Sequence, residues 1–333
     1  MQKQIYEKYG LRTDKIENVD GYDTFIIQNY LYFIVPAINI TEGEMMELQQ
    51  MSSYMLAKGD AAVASFVPTR AGTIIARIHE QPIVILRSHI QPYTRTINIG
   101  KELAKFHQRG RTYPYYVNYC KRIGQWKDLW GKRLDQMEMF WRSKVQMHPE
   151  NEFERMFVDS FPYYLGLTEN AIQYLVDTEL DDEPYTVDCA TICHQRFTER
   201  LWRQGAKLPT EWVYDHCSRD LAEWVRYFYH TNRLLTAEKM KSFFTEYQRI
   251  TPLTTFSWRL IYSRLLFPLH YFECIEGYYL AREEEQKKMY EEKLSHLLNQ
   301  SGEYEQFLGN FYDLVELPAN RFSLPKMKWL SFS

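Results

Sequence analysis

Residues 187–217 read VDCATICHQRFTERLWRQGAKLPTEWVYDHC, and they interrupt a part of the chain that otherwise has helical spacing. A short apolar run ends at His194, and a second run, 211–214, leads into Asp215. Short β-branched and aromatic runs bounded by polar residues are typical of strands. The stretch therefore predicts a hairpin with a functional site at its end.

The first 90 residues contain several strand-like runs and one segment with helical spacing. Strand-like runs occupy 23–28, 31–37, 61–67, 73–79 and 83–87, and Gly, Pro and Asn separate them. Residues 41–58 instead carry apolar side chains at helical spacing behind Thr41, a residue type that caps helices. The first 90 residues are thus predicted to form a small antiparallel sheet with one helix.

Most of the remaining chain has the apolar spacing of helices. The predicted helices are 96–108, 128–147, 150–161, 168–177, 218–234, 237–247, 256–262 and 269–298, and an extended tail follows at 317–333. The fold class is therefore predicted to be α+β with two lobes. The N-lobe is residues 1–90, and the mainly helical C-lobe is residues 91–333, with the hairpin around 187–217.

Composition excludes several classes of protein. The 333 residues include 40 Lys and Arg and 43 Asp and Glu, which gives a net charge of −3. This charge disfavours nucleic-acid binding. No apolar run reaches the ~18 residues of a membrane span, and the first residues lack the apolar core of a signal peptide. Five cysteines at irregular spacing do not form a disulfide framework. We expect a folded protein with reduced thiols and no membrane insertion.

Three motifs together resemble a known family. The chain reads LAKFH at residues 103–107, has the loop that begins at His194, and follows Asp215 with RDLA at residues 219–222. This order is similar to the protein-kinase-like fold of aminoglycoside and choline phosphotransferases. Within that fold it resembles the kinase-like spore coat proteins of Bacillus-type bacteria, over nearly the whole chain. The resemblance implies synthesis in the mother-cell cytoplasm and a final location in the spore coat.

The catalytic loop of the resembled family departs from its pattern here. That loop reads His-Gly-Asp, four residues, then Asn, and the chain instead has Arg196 at the Asp position. The Asn position is Leu201, or Arg200 if the loop is one residue shorter, and a guanidinium is no ligand for a magnesium ion. A guanidinium stays protonated at neutral pH, so Arg196 cannot accept the proton of an attacking hydroxyl. Leucine offers no oxygen to a magnesium ion. His194, Arg196 and Leu201 are therefore predicted to be degenerate positions.

The sheet lobe also lacks the parts that hold ATP. No Lys or Arg lies between Lys15 and Lys58, so the strand at 31–37 carries no ATP-pairing lysine. The turn that should cover the phosphates has one glycine, Gly21, between Asp20 and Asp23. Carboxylates repel a triphosphate. We expect no bound cofactor.

Two aspartates occupy positions at which the resembled family also has aspartate. Asp215 lies at the metal-binding position, but a single carboxylate without the Asn partner makes a poor metal site, so hydrogen bonds from backbone groups or from His194 are favoured there. Asp220 matches a structural aspartate that caps the next helix, a role that Ser218 could share.

Other chemistries are possible near the hairpin. Five residues there have side chains that can bind zinc or form a Cys–His nucleophile: Cys189, Cys193, His194, His216 and Cys217. Their spacing does not match a usual zinc site, so buried, unreactive thiols are favoured. Tyrosine clusters near residues 113–116, 163–164 and 278–279 favour core packing or a protein partner over nucleic acid.

The sequence thus favours a catalytically degenerate kinase-like protein that acts as a structural or assembly component of the spore coat and binds other coat proteins. The alternative is an active small-molecule phosphotransferase. It would need Asp188 or Glu199 as the base and Arg196 or Arg200 to hold phosphates. The sequence names neither the partner nor the oligomeric state.

Overall fold

The computed structural model describes residues 1–90, 97–231 and 236–317, together with residues 324, 325, 327 and 330. The chain forms two compact units: residues 1–123, 189–233 and 242–252, and residues 124–188, 234–241 and 253–333. An antiparallel sheet precedes a mainly helical chain, so the predicted α+β class is confirmed. The predicted lobe boundary after residue 90 stays a prediction.

In chain order the described elements are α1 (Gln2–Tyr9), β1 (Glu17–Val19), β2 (Tyr22–Ile27), β3 (Tyr30–Pro36), α2 (Glu42–Ala57), β4 (Ser65–Phe66), β5 (Ile75–Ile78), β6 (Gln81–His89), α3 (Ile99–Arg111), α4 (Trp126–Met147), α5 (Glu152–Asp181), β7 (Thr191–His194), α6 (Arg200–Arg203), β8 (Trp212–Asp215), α7 (Ser218–Thr231), α8 (Ala237–Gln248), α9 (Thr255–Leu266), α10 (Leu269–Leu280), α11 (Glu284–Asn299) and α12 (Ser301–Leu314). Residue 96, residues 232–234 and most of the predicted tail 317–333 lie outside the described residues.

The sheet of the first unit has the order β1-β2-β3-β6-β4, and β5 also pairs with β6. Side chains alternate between the faces of a strand, so Phe33 and Val35 of β3 share one face and Ile34 lies on the other. On the first face these residues pack with buried side chains from residues 201–208. The opposite face packs with Ile5 and Tyr9 of α1.

Helix α2 begins at the predicted cap. The Thr41 hydroxyl accepts a hydrogen bond from the Glu44 backbone N–H at 3.2 Å, and the Glu44 carboxylate accepts one from the Thr41 N–H at 2.9 Å. This reciprocal pair is a capping box, which satisfies two N–H groups that a helix start leaves open. It confirms the sequence prediction for this helix.

Helix α1 is an addition to the single helix predicted within the first 90 residues. Only Ile5 and Tyr9 of this charged segment are buried, one helical turn apart. Two apolar positions are too few to produce a periodic pattern in a sequence window. The helix ends at Gly10, whose φ of 75° is the left-handed conformation that glycine adopts readily.

Helix α5 runs unbroken where the sequence predicted two helices on either side of Pro162. Proline has no N–H, so it leaves the carbonyl four residues earlier without its helical partner. That carbonyl belongs to Val158, and the indole N–H of Trp141 donates to it at 3.0 Å. A side chain from α4 thus replaces the missing hydrogen bond, and sequence periodicity gives no sign of this.

The segment predicted as one helix over 269–298 is two helices, α10 and α11. The two pack together, and Gly277 lies against the ring of Tyr290 so closely that a Cβ atom there would come within 2.4 Å of it. Helix α12 was not predicted. In the part of the chain that the structure describes, no helix is long and apolar enough to cross a membrane.

Candidate functional site

The hairpin forms from β7 and β8, and its antiparallel register separates the two positions that the sequence placed at one end. His194 pairs with Trp212, whereas Asp215 pairs with Thr191 at the opposite end. The prediction of a single site at one end is therefore wrong, because the second strand runs back along the first. A side chain from α7 links the two positions: the Arg219 guanidinium donates to the His194 carbonyl and to the Asp215 carboxylate, each at 2.9 Å.

Asp220 lies in the first turn of α7 and is fully buried. Its carboxylate accepts from the His194 backbone N–H at 2.8 Å, from His194 Nδ1 at 2.7 Å and from His107 Nε2 at 3.0 Å. Because a carboxylate only accepts, both imidazoles donate to it. Asp220 therefore joins α3, β7 and α7 through three buried hydrogen bonds.

The pKa values of this cluster follow from burial and from these contacts. Burial lowers the pKa of His107 to about 4, although Asp220 partly opposes the shift. Burial by itself would raise the pKa of Asp220, but the two histidines outweigh it and hold that pKa well below its usual range. At neutral pH the cluster is thus an ionised carboxylate between imidazoles, with His107 neutral.

Asp215, the predicted metal position, is also fully buried. Its Oδ1 accepts from the His216 backbone N–H at 2.8 Å, and its Oδ2 lies 2.9 Å from the Arg219 guanidinium. Both oxygens thus have donors, and the adjacent Arg219 cation opposes a divalent cation. This arrangement does not fit a magnesium site well, and metal binding at Asp215 stays a prediction.

Arg196 and Leu201, two of the three loop positions that were predicted to be degenerate, have different surroundings. The Arg196 side chain is 42% exposed, and its Nε lies 3.9 Å from a carboxylate oxygen of Glu223. Leu201 in α6 is buried among the apolar residues of the sheet face. Neither side chain offers an oxygen or a basic atom to a reacting group.

The cysteines near the hairpin do not come together in one zinc site, which was an alternative considered from the sequence. Cys189 is exposed, whereas Cys193 and Cys217 are buried. Cys193 lies 3.9 Å from His107 Nε2 near Asp220, and these three residues could supply metal ligands. However, Cys193 Sγ donates to the carbonyls of Asp215 and His216 at 3.6 and 3.4 Å, and burial raises the thiol pKa well above normal. These contacts favour a protonated, inert thiol.

The acids named as relocated bases are engaged elsewhere. Asp188 accepts from the hydroxyls of Thr254 and Ser257 in the second unit, at 2.8 and 2.7 Å. Glu199 accepts from the indole of Trp224 at 3.1 Å and from Arg203. Each carboxylate serves the packing of its own unit.

The sequence did not predict one buried cluster of charged side chains. Lys207 Nζ lies 2.8 Å from Asp60 Oδ2, and Arg109 Nη1 lies 3.1 Å from the same oxygen. Burial lowers the pKa of Lys207, and Asp60 partly opposes that shift. The two partners lie far apart in sequence, so no local spacing could have predicted the pair.

Comparison with solved structures defines the class of fold. An aminoglycoside phosphotransferase from Alicyclobacillus acidocaldarius has a TM-score of 0.64 at 13% identity, with 95% of this chain and 96% of that chain covered. A microcompartment-associated aminopropanol kinase has a TM-score of 0.60 at 12% identity, over 92% of this chain and 96% of its own. The fold is therefore that of kinase-like small-molecule phosphotransferases, as the resemblance implied.

Sequence comparison then gives the family. The family described as "Spore coat putative kinase YutH" matches residues 2–311. The endospore coat-associated protein YutH of Bacillus subtilis (strain 168) is 46% identical over 330 residues, which are 98% of this chain and 97% of that protein. This chain belongs to the spore coat YutH family. The predicted family and location in the spore coat are confirmed, and synthesis in the mother cell stays a prediction.

Proposed function

We propose that the protein is a catalytically degenerate kinase-like component of the spore coat, which acts by binding other coat proteins. The observation that carries this proposal is Arg196 at the position where phosphotransferases of this fold have the proton-accepting aspartate. An arginine side chain has no basic atom that accepts a proton at neutral pH. The position therefore repels a metal ion and cannot take up a hydroxyl proton.

The neighbouring positions support the same conclusion. Leu201, at the position of the metal-binding Asn in the resembled family, is buried in one apolar cluster with Phe33 and Val35 of the sheet. Strand β3 carries no cation to pair with phosphates. The β1–β2 turn carries the Asp20 carboxylate, which opposes a triphosphate.

Two observations favour the second candidate, an active phosphotransferase. Glu223 supplies a carboxylate beside Arg196, and Lys207 comes from a distant part of the chain to the edge of the sheet. Glu223, however, also pairs with Arg226 at 2.5 Å, and Lys207 is buried against Asp60. Both groups already have partners of opposite charge, so we favour the degenerate protein.

Nucleotide binding separates the two candidates. The thermal midpoint of the full chain is measured with and without millimolar Mg-ATP, alongside an assay of ADP release. A ligand at 100 times its Kd adds about 2.7 kcal/mol to the free energy of unfolding. We expect an unchanged midpoint and no ADP. A clear rise in the midpoint that Asp215→Ala abolishes would overturn the proposal.

An exposed tyrosine patch supports the binding role. Tyr115, Tyr116 and Tyr119 lie in the segment after α3, and Tyr116 is 82% exposed. The Glu47 carboxylate of α2 holds this segment by accepting three consecutive backbone N–H groups, those of residues 118–120, at 2.7 to 3.1 Å. Rigid tyrosines provide contact area at low entropic cost.

The patch is tested through coat association in sporulating cells. Serine replaces all three tyrosines of the patch in one variant, and Tyr185→Ser serves as a control at another exposed tyrosine. We expect the triple variant to fold, to accumulate normally and to lose its attachment to isolated coats, while the control remains attached. Normal attachment of the triple variant would remove the patch from the proposal.

A further inference from the structure

The chain between Arg196 and β8 crosses to the sheet. This segment, residues 197–211, is called the strap; it contains α6 and a short 3-10 turn, Pro209–Glu211. At its centre the Lys207 N–H donates to the Ala62 carbonyl at 2.9 Å, and the Ala64 N–H donates to the Lys207 carbonyl at 2.9 Å. The strap thus forms a parallel bridge with the chain that leads into β4.

A buried ion pair reinforces this bridge. The side chains of Lys207 and Asp60 are each only 5% exposed, and the Lys207 ammonium also lies 4.1 Å from the centre of the Trp202 ring. Arg109 Nη1 lies 3.1 Å from the same Asp60 oxygen, so Asp60 keeps a cation when Lys207 moves away, whereas Lys207 loses the carboxylate that it contacts. The pair therefore favours the closed position of the strap through Lys207, which Asp60 neutralises only while the strap is closed.

The apolar side of the strap covers the sheet. Leu201, Ala206 and Leu208 are buried in one cluster with Phe33 and Leu86 of the central strands. Displacing the strap would expose both sets of side chains to water, at about 25 cal/mol for each Å² of apolar surface.

The strap also holds the turn between β1 and β2. Gln204 Nε2 donates to the Asp20 carboxylate at 2.7 Å, and the Tyr22 hydroxyl donates to the carboxylate of Glu211. Contacts at the middle and at both ends of the strap thus fall on three parts of the sheet: its central face, its first turn and the entry to β4.

We propose that the strap is a built-in lock, which holds the sheet against the β7–β8 hairpin in one closed arrangement through the Asp60–Lys207 pair. Closure is then a property of the chain and needs no bound ligand. The lock goes beyond the proposed function, because it does not depend on whether Arg196 can accept a proton.

Hydrogen exchange followed by mass spectrometry tests the lock in the full chain. Lys207→Met keeps the length of the side chain but removes its charge, and Lys105→Met makes the same change at the more exposed pair with Glu102. We expect peptides that contain Ala64 and Lys207 to exchange about tenfold faster in Lys207→Met, the factor that corresponds to about 1.4 kcal/mol of opening free energy. Exchange at the wild-type rate in this variant, or equal acceleration in Lys105→Met, overturns the proposal.

A milder variant keeps the test decisive if Lys207→Met does not fold. Tyr22→Phe combined with Gln204→Ala removes only the two bonds to the β1–β2 turn, and faster exchange of that turn is expected. An unchanged rate contradicts the lock. Slower exchange of the wild-type strap on adding Mg-ATP would contradict the proposed function instead, and it leaves the outcome for Lys207→Met unaffected.

Discussion

Asp220→Ala is expected to remove much of the stability of the first unit. The carboxylate accepts three hydrogen bonds, two from His194 and one from His107, and all three side chains are buried. Each donor left without a partner costs about 1–3 kcal/mol. The three together predict a loss of about 3–6 kcal/mol in the free energy of unfolding, since neighbouring groups are not fully additive.

Urea unfolding at pH 7 measures this loss, with circular dichroism and tryptophan fluorescence as independent probes. Asp220→Asn retains one acceptor oxygen and is expected to lose less than the alanine variant. Asp23→Ala, at an exposed acid of the sheet, controls for the loss of a negative charge. If Asp220→Ala unfolds within about 1 kcal/mol of wild type, the inferred role of the three hydrogen bonds is refuted.

Three further predictions concern other parts of the chain. Trp141→Phe leaves the Val158 carbonyl without its donor, so urea unfolding should show a loss of about 1–3 kcal/mol. The pKa of His107 falls from 6.5 to about 4 on folding, so the folded chain resists protonation there, and stability present above pH 6.5 is lost as the pH falls toward 4. Urea titrations at successive pH values measure this loss in the free energy of unfolding. In His107→Gln the loss should be smaller by on the order of 3 kcal/mol. Arg196→Asp by itself should release no ADP from ATP in a coupled assay, because β3 still carries no cation.

Each of these predictions has a matched comparison. Pro162→Ala restores the helical N–H toward Val158, so adding it to Trp141→Phe should recover stability; no recovery would contradict the substitute hydrogen bond. His79→Gln changes an exposed histidine and should leave the pH profile unaltered, and a profile like that of His107→Gln would argue against burial as the cause. ADP release by Arg196→Asp would show that a phosphate-binding cation exists elsewhere.

Local sequence patterns predicted the elements whose causes are local. The cap at Thr41 and the four apolar positions Met45, Leu48, Met51 and Met55 place α2 almost to the residue. Apolar runs located β2, β3, β5 and β6 to within two residues, whereas β1 was not predicted and β4 is much shorter than the predicted strand 61–67. The elements that these patterns located were predictable because capping and amphipathic spacing act within one or two helical turns.

The motifs of the candidate site were visible in sequence, but their arrangement was not. His194, Asp215 and Asp220 were recognised from their order along the chain. That the hairpin register places the first two at opposite ends, with Arg219 between them, follows only from strand pairing. The continuity of α5 through Pro162 also depends on a tertiary contact, because a side chain of α4 donates the hydrogen bond that the proline cannot.

The sequence by itself determined the family and the fold class, and it predicts the loss of a proton acceptor at Arg196, because each depends on the identity and order of residues. Only the tertiary structure decided that Lys207 lies against Asp60 and that the strap covers the sheet. Such contacts join residues far apart in the chain. Their strength comes from burial, which no local pattern records.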